Sequence, residues 1–247
     1  MRIKVGTCGF SRSRRLIFSK LDVVEVQQTF YDPRVHESLQ KIAQEAPEGF
    51  EFTVKAWMLV THKYNSKLWR RLKSEVPYSK ESFGDMKINE AVCWAWEETV
   101  KAASILSATI IVLQTPASFK ATDDNIRNVR EFLSRCWPKG FQLAWEPRGD
   151  WWSKPELLSR INEETGVIIA GDILRGRTPP GGQETLYARL HGLGGREVNY
   201  RYKYTDDDLR KLYTIIRDLD KKENYILFNN IYSFIDALRF KQLVTEA

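Results

Sequence analysis

Val23 Val24 Glu25 Val26 Gln27 Gln28 Thr29 Phe30 Tyr31 is an apolar run interrupted by one carboxylate and two carboxamides. Read as a β-strand, its side chains alternate, which sets Glu25 and Gln27 on one face and Val24 and Val26 on the other. An acid on a buried strand needs either a basic or amide partner or a place in a site, because an unpaired buried carboxylate is costly. The same combination, an apolar outer face and an inner face that turns polar at the C-terminal end, belongs to the strands of a parallel barrel wrapped by helices.

Working outward, residues 3–6 read as a first strand ended by the glycine turn Gly6 Thr7 Cys8 Gly9. Asp32 Pro33 is a helix-start signal, and a helix over 34–46 is broken by Pro47 and Gly49. Further strands are expected at 50–56, 109–114, 141–146, 167–172, 185–191 and 225–229, and helices at 88–106, 124–136, 155–164, 206–220 and 232–244. Segment 175–182 is too rich in Gly and Pro for a helix. Eight strands mostly alternating with helices predict an α/β fold, a single (β/α)8 TIM barrel over residues 1–247, irregular in the long basic segment after the third strand. The rival, an open doubly wound sheet, lacks its glycine-rich phosphate fingerprint.

Composition suits a globular protein, with 43% hydrophobic residues to supply a core. No apolar run approaches 18 residues and no signal-peptide pattern is present, which predicts neither a membrane partner nor secretion. Cys8, Cys93 and Cys136 are an odd number at no metal-like spacing, as expected of a cytoplasmic protein. The net charge is +6, and the basic residues are clustered. Arg2, Lys4, Arg12, Arg14, Arg15 and Lys20 precede any acid, and Lys63, Lys67, Arg70, Arg71 and Lys73 form a second acid-free run. These are either solvated faces or, placed on βα loops, a positive rim for an anionic partner.

The strand ends carry the remaining polar residues: Glu25 and Gln27, Lys55, Gln114, Glu146 and Arg148, Asp172, Arg189 and His191, and Asn229 and Asn230. Parity is consistent, since Gln142, Ala144, Glu146 and Arg148 share one face, as do Tyr187, Arg189 and His191. The outer face packs on helices, so this set points inward at the C-terminal mouth, where barrel enzymes place their chemistry. Each member also has a structural reading. Glu25 can neutralise Lys55 or Arg189, Asp172 can cap the next segment, and His62 can be an ordinary core or surface histidine. Functionally, Glu25, Glu146, Asp172 and His191 are the expected catalytic groups, or ligands of a divalent metal cation, while Lys55, His62, Gln114, Arg148, Arg189 and Asn229 bind substrate. The surplus of cations at the mouth argues for an anion and against a tightly held metal.

These residues resemble a TIM-barrel family called domain of unknown function 72. The matches are Gly6 Thr7 Cys8 Gly9 Phe10, Val24 Glu25 Val26 with Thr29 Phe30 Tyr31, Phe52 Thr53 Val54 Lys55 with Thr61 His62, and Gln114 Thr115 Pro116. They continue through Glu146 Pro147 Arg148, Tyr187 Ala188 Arg189 Leu190 His191 Gly192 and Phe228 Asn229 Asn230. The resemblance implies a TIM barrel and marks most of the strand-end set as family-pattern positions, but it supplies no reaction. The leading expectation is an enzyme acting on an anionic, phosphate-bearing substrate, with phosphoester hydrolysis, in nucleic acid or a small ester, as the reaction. Two alternatives stay open: metal-free isomerase or lyase chemistry on a phosphorylated sugar with Lys55 as amine nucleophile or base, and non-catalytic nucleic-acid binding.

Overall fold

The structure is a computed structural model, and it describes residues 1–72, 75–195 and 197–246. Eight parallel strands form one sheet: β1 (Arg2–Cys8), β2 (Val23–Val26), β3 (Glu51–Lys55), β4 (Ile110–Gln114), β5 (Gln142–Glu146), β6 (Ile168–Ile169), β7 (Thr185–Leu190) and β8 (Glu223–Phe228). Helical segments separate them: α1 (Arg14–Lys20), α2 (Gln28–Tyr31), α3 (His36–Glu45), α4 (Met58–Thr61), α5 (Ser66–Trp69), α6 (Glu90–Ile105), α7 (Asp123–Arg135), α8 (Pro155–Thr165), α9 (Asp206–Leu219) and α10 (Ser233–Glu246). The longer helices begin at polar caps. Asn89 and Thr122 accept from backbone N–H groups of α6 and α7, and Thr205 with Asp208 forms a capping box on α9.

The sheet order is β6-β5-β4-β3-β2-β1-β8-β7, so closure falls between β6 and β7. That joint is thin. A single described bridge links Gly171 to Ala188, with Gly171 N–H donating to Tyr187 O at 3.2 Å and Arg189 N–H donating to Gly171 O at 3.1 Å. The side chain of Gln183 completes it in the manner of a strand. Its Oε1 accepts from Ile169 N–H at 2.8 Å, and its Nε2 donates to the carbonyls of Ile169 (3.1 Å) and Thr185 (2.7 Å). Residue 171 must be glycine at this joint, since a Cβ would stand 2.8 Å from the Trp152 ring and 2.7 Å from the Arg177 carbonyl. The expected strand 167–172 is therefore cut to two residues.

Inside the barrel, Val23, Ile110, Val112, Ala144, Ile168, Ala170, Tyr187 and Leu227 form an apolar middle. Polar residues close both ends. At the N-terminal end Lys4 Nζ lies 2.7 Å from Glu51 and 2.9 Å from Glu223, and donates to Tyr225 OH at 2.9 Å. The opposite end carries the strand-end set, as parity predicts. A second, larger core fills the space between strands and helices, with Trp57, Trp145, Trp151 and Phe132 fully buried. Trp145 and Trp151 pack edge to face within it, with ring centroids 4.8 Å apart.

Two expectations need correction. The quoted stretch is not one strand: β2 stops at Val26, Gln27 takes helical angles (φ −91°, ψ −21°), and Gln28–Tyr31 is a helical turn. Thr29 forces the turn, because its Oγ1 meets the carbonyl oxygens of both Val26 (2.9 Å) and Lys55 (2.7 Å). In the first basic cluster, moreover, only Arg12 of the three arginines after β1 lies on the connecting loop. Arg14 and Arg15 belong to α1, and Arg14 donates twice to Glu45 at the end of α3 (2.5 and 2.6 Å). In the second cluster Lys63 pairs with Asp85 at 2.9 Å, and Lys73 lies outside the described residues. No helix among the described residues is long and apolar enough to cross a membrane.

Candidate active site at the barrel mouth

The register of the strands brings most of the expected residues to one end of the barrel. Glu25 on β2 is fully buried and receives Arg189 in a two-pronged contact, Nε to Oε2 at 2.9 Å and Nη2 to Oε1 at 2.7 Å. Tyr187 OH donates to the same carboxylate at 2.9 Å, and Gln27 Nε2 donates to its other oxygen. Glu25 and Gln27 therefore meet even though Gln27 has left the strand. The third nitrogen of the Arg189 fork donates to Glu146 Oε2, so one guanidinium on β7 holds carboxylates from β2 and β5. Such planar, multiply bonded contacts are the form in which buried charges survive loss of water.

Glu146 then passes the charge outward. Its Oε1 lies 3.0 Å from Arg148 Nη2. Burial alone would raise the Glu146 carboxyl, but Arg148 and Arg189 outweigh burial and hold it well below the usual carboxylate range. Arg148 also donates to His191 Nε2 at 2.8 Å. Because arginine only donates, that ring nitrogen is unprotonated, and the neutral imidazole carries its proton on Nδ1. Nδ1 lies 3.9 Å from Asp172 Oδ2 without a hydrogen bond, and burial keeps the imidazole pKa far below its ordinary value.

Asp172 lies behind this histidine. It precedes a 3-10 turn, Ile173–Arg175, without capping it; Oδ2 instead accepts from His191 N–H at 2.8 Å. Burial pushes its carboxyl up to about 6, against the backbone hydrogen bond and Arg175, which lower it. A carboxyl raised in this way favours the folded state at low pH, and that contribution is lost as pH rises from about 4 through about 6. Asp172→Asn retains an oxygen for His191 N–H. Its unfolding free energy in urea should therefore lack the decline between pH 4 and 6 that is expected of the parent. Identical slopes for the two proteins would remove this reading.

Lys55, at the end of β3, differs from Arg148 and Arg189 in that no carboxylate among the described residues holds it directly. Its Nζ donates to Gln114 Oε1 at 2.9 Å and stands 3.9 Å from the Phe30 ring centroid. Burial, then the neighbouring Arg189, lower its pKa to about 7, against the opposing pull of Glu25 and Glu146. His62 is half-buried against Phe30, with ring centroids 5.2 Å apart, and Thr61 Oγ1 is 2.8 Å from its Nδ1. Burial, Lys55 and Arg148 bring His62 to about 3, so it is neutral at ordinary pH.

Above these groups opens a cavity of about 470 Å³ lined by Gln27, Tyr31, Lys55, Gln114, Arg148, Arg189, Tyr200, Asn229, Asn230 and Ile231. Of the expected set, Lys55, Gln114, Arg148, Arg189 and Asn229 reach it. Glu25, Glu146, Asp172 and His191 form the layer beneath, and His62 stands to one side. Tyr31 and Tyr200 were not among the expected site residues, while Gln27 and Asn230 stood in the strand-end polar set without an assigned role. Tyr200 lies on the loop five residues before the Thr205 cap of α9, whereas Gln27 was legible as the polar neighbour of Glu25.

The expected cation-binding set does not assemble. Among the described residues no three His, Cys, Asp or Glu side chains are placed to hold a metal ion. Arg189 stands between Glu25 and Glu146, and one oxygen of Asp172 is turned to a backbone N–H, while Glu146 Oε1 and Asp172 Oδ1 are buried without a hydrogen bond.

A family model described as protein of unknown function, DUF72, matches residues 12–247. The UPF0759 protein YunF of Bacillus subtilis is 24% identical over 246 residues, covering 86% of this chain and 78% of YunF. The crystal structure of a DUF72 family protein (TM1631) from Thermotoga maritima superposes with a TM-score of 0.73 at 24% identity, covering 99% of this chain and 100% of that one. The barrel is shared more widely, for example with a D-psicose 3-epimerase from Clostridium cellulolyticum (TM-score 0.55, 11% identity, 100% and 97% covered) and endonuclease IV from Thermus thermophilus (0.52, 12%, 100% and 98%). Likeness at that identity concerns the fold alone. With the family model spanning nearly its whole length, the chain belongs to the DUF72 family.

Proposed function

We propose that the mouth is a proton-transfer site for a phosphorylated sugar, with the neutral amine of Lys55 as base and Arg148 as the contact for the anion. The observation that carries this reading is Lys55 itself, a buried amine whose pKa is brought to about 7 at the wall of an open polar cavity. At that value about half of the amine is unprotonated near neutral pH, the condition for a general base or nucleophile. Carboxamides from Gln27, Gln114, Asn229 and Asn230 supply paired donors and acceptors for hydroxyls, and Tyr31 and Tyr200 supply flat apolar walls. Hydrolysis driven by Glu25 and Glu146 draws less support, since both carboxylates already serve Arg189.

The test is isotope exchange. Phosphorylated aldoses and ketoses incubated with the protein in deuterium oxide should take up deuterium at a carbon beside the carbonyl, read by NMR. Exchange should persist in EDTA and fall about 10²–10⁴-fold in Lys55→Met. Cleavage of a model phosphodiester that needs added metal and ignores Lys55→Met would overturn the proposal in favour of hydrolysis.

A further inference from the structure

A second compartment adjoins the mouth, about 580 Å³ in volume and lined by Gln28, Tyr31, Asp32, Val35, Ser38, Arg70 and Arg71. Tyr31 lines both spaces and so forms the wall between them. Phe30 and Tyr31 pack edge to face, with ring centroids 5.2 Å apart, and each carries a cation on its own side. Lys55 covers Phe30 towards the mouth, while the Arg71 guanidinium stands 4.9 Å from the Tyr31 ring centroid and donates to its hydroxyl at 2.6 Å.

The two compartments differ in chemistry. The mouth offers amides and buried cations. The side compartment offers a tyrosine ring, the Val35 side chain and two planar guanidiniums, with Gln28 and Ser38 as edge hydrogen-bonding groups, Gln28 Nε2 donating to Ser38 Oγ at 3.4 Å. A flat ring laid against a guanidinium that is itself backed by an aromatic ring, and met at its edge by carboxamide and hydroxyl groups, is a way in which proteins hold a nucleobase. A sugar phosphate alone would leave this compartment to water.

We infer that the substrate is a nucleotide unit, its sugar phosphate in the mouth and its base in the compartment behind Tyr31. This rests on the reading of the mouth as a sugar-phosphate site and adds the group attached to the sugar. The nucleotide unit is either a free mononucleotide or one residue of a single strand, which share this chemistry.

Calorimetric titration of the intact chain with ribose 5-phosphate, with the four ribonucleoside 5′-monophosphates and with a single-stranded six-nucleotide oligomer separates the cases. The best mononucleotide should bind at least about ten-fold more tightly than ribose 5-phosphate, the size of one base stack. Arg71→Ala, an exposed position, should remove that advantage and leave ribose 5-phosphate affinity within about two-fold, since Arg71 does not line the mouth. An oligomer tighter than any mononucleotide assigns the unit to a strand, and the reverse assigns it to a free nucleotide. Equal binding of mononucleotide and ribose 5-phosphate, or equal loss of both in Arg71→Ala, would overturn the inference. Labelling of Lys55 by pyridoxal 5′-phosphate and borohydride at pH 7.5 reports separately on the amine. Labelled Lys55 with no preference for nucleotides overturns the base compartment alone, whereas nucleotide preference without labelling leaves it standing and removes the base role of Lys55.

Discussion

Replacing Arg189 by methionine should cost about 3–5 kcal/mol of stability, or prevent folding, the effect expected when one partner of a buried ion cluster is removed and the other charges remain. Glu25, Glu146 and Arg189 are each at most 1% exposed, so water cannot take over the role of the guanidinium. The two carboxylates, drawn towards one arginine from β2 and β5, would face each other across the lumen with only Lys55, Arg148 and polar hydrogens to answer them. Urea unfolding of Arg189→Met against the parent measures the loss. The companion variant Glu25→Gln/Glu146→Gln/Arg189→Met removes all three charges and should recover a large part of it, which separates charge imbalance from loss of packing. If the single variant loses no more than the roughly 1 kcal/mol of an exposed ion pair, the central role given to Arg189 is wrong.

Lys55→Met is expected to act in the opposite sense on stability while removing function. The folded-state pKa of Lys55, about 7, lies below its ordinary value of 10.5. The unfolded chain therefore binds more protons between those pH values, and this group's contribution to stability is complete above about 10.5 and lost as pH falls through about 7. Methionine fills nearly the same volume without the desolvated amine. At pH 7 the variant should be at least as stable as the parent, and its unfolding free energy should rise less steeply between pH 7 and 10. Thermal melts at three pH values suffice. A variant that is less stable throughout, with an unchanged pH slope, would mean that Lys55 serves packing and that its amine is not unusual.

The eight-fold alternation was legible because each outer strand face must be apolar and each inner face is free to change character along the strand. Parity placed Glu25, Lys55, Gln114, Glu146 and Arg189 at one end for the same reason. What parity cannot specify is which charge answers which. Arg189 and Glu25 are 164 residues apart, and their pairing depends on the relative heights of β7 and β2, a property of the closed barrel rather than of either strand. Glu25 pairs with Arg189, one of the two structural pairings open at the outset. The turn at Gln28–Tyr31 was hidden likewise, since Thr29 takes part of its stabilisation from the Lys55 carbonyl on the neighbouring strand. The short β6 was illegible because a side-chain amide, Gln183, completes the hydrogen bonding that a longer strand would have supplied.

That closing joint gives the ion cluster a mechanical meaning. Arg189 and Glu146 sit on β7 and β5, the strands on either side of β6, so their contact runs through the lumen behind the barrel's thinnest stretch of wall. It works as a tie rod across a hoop whose last stave is too short. A ligand anion that drew Arg148 away from Glu146 would load that rod further, and hydrogen exchange at Ile169 and Gly171 would slow as the hoop tightened.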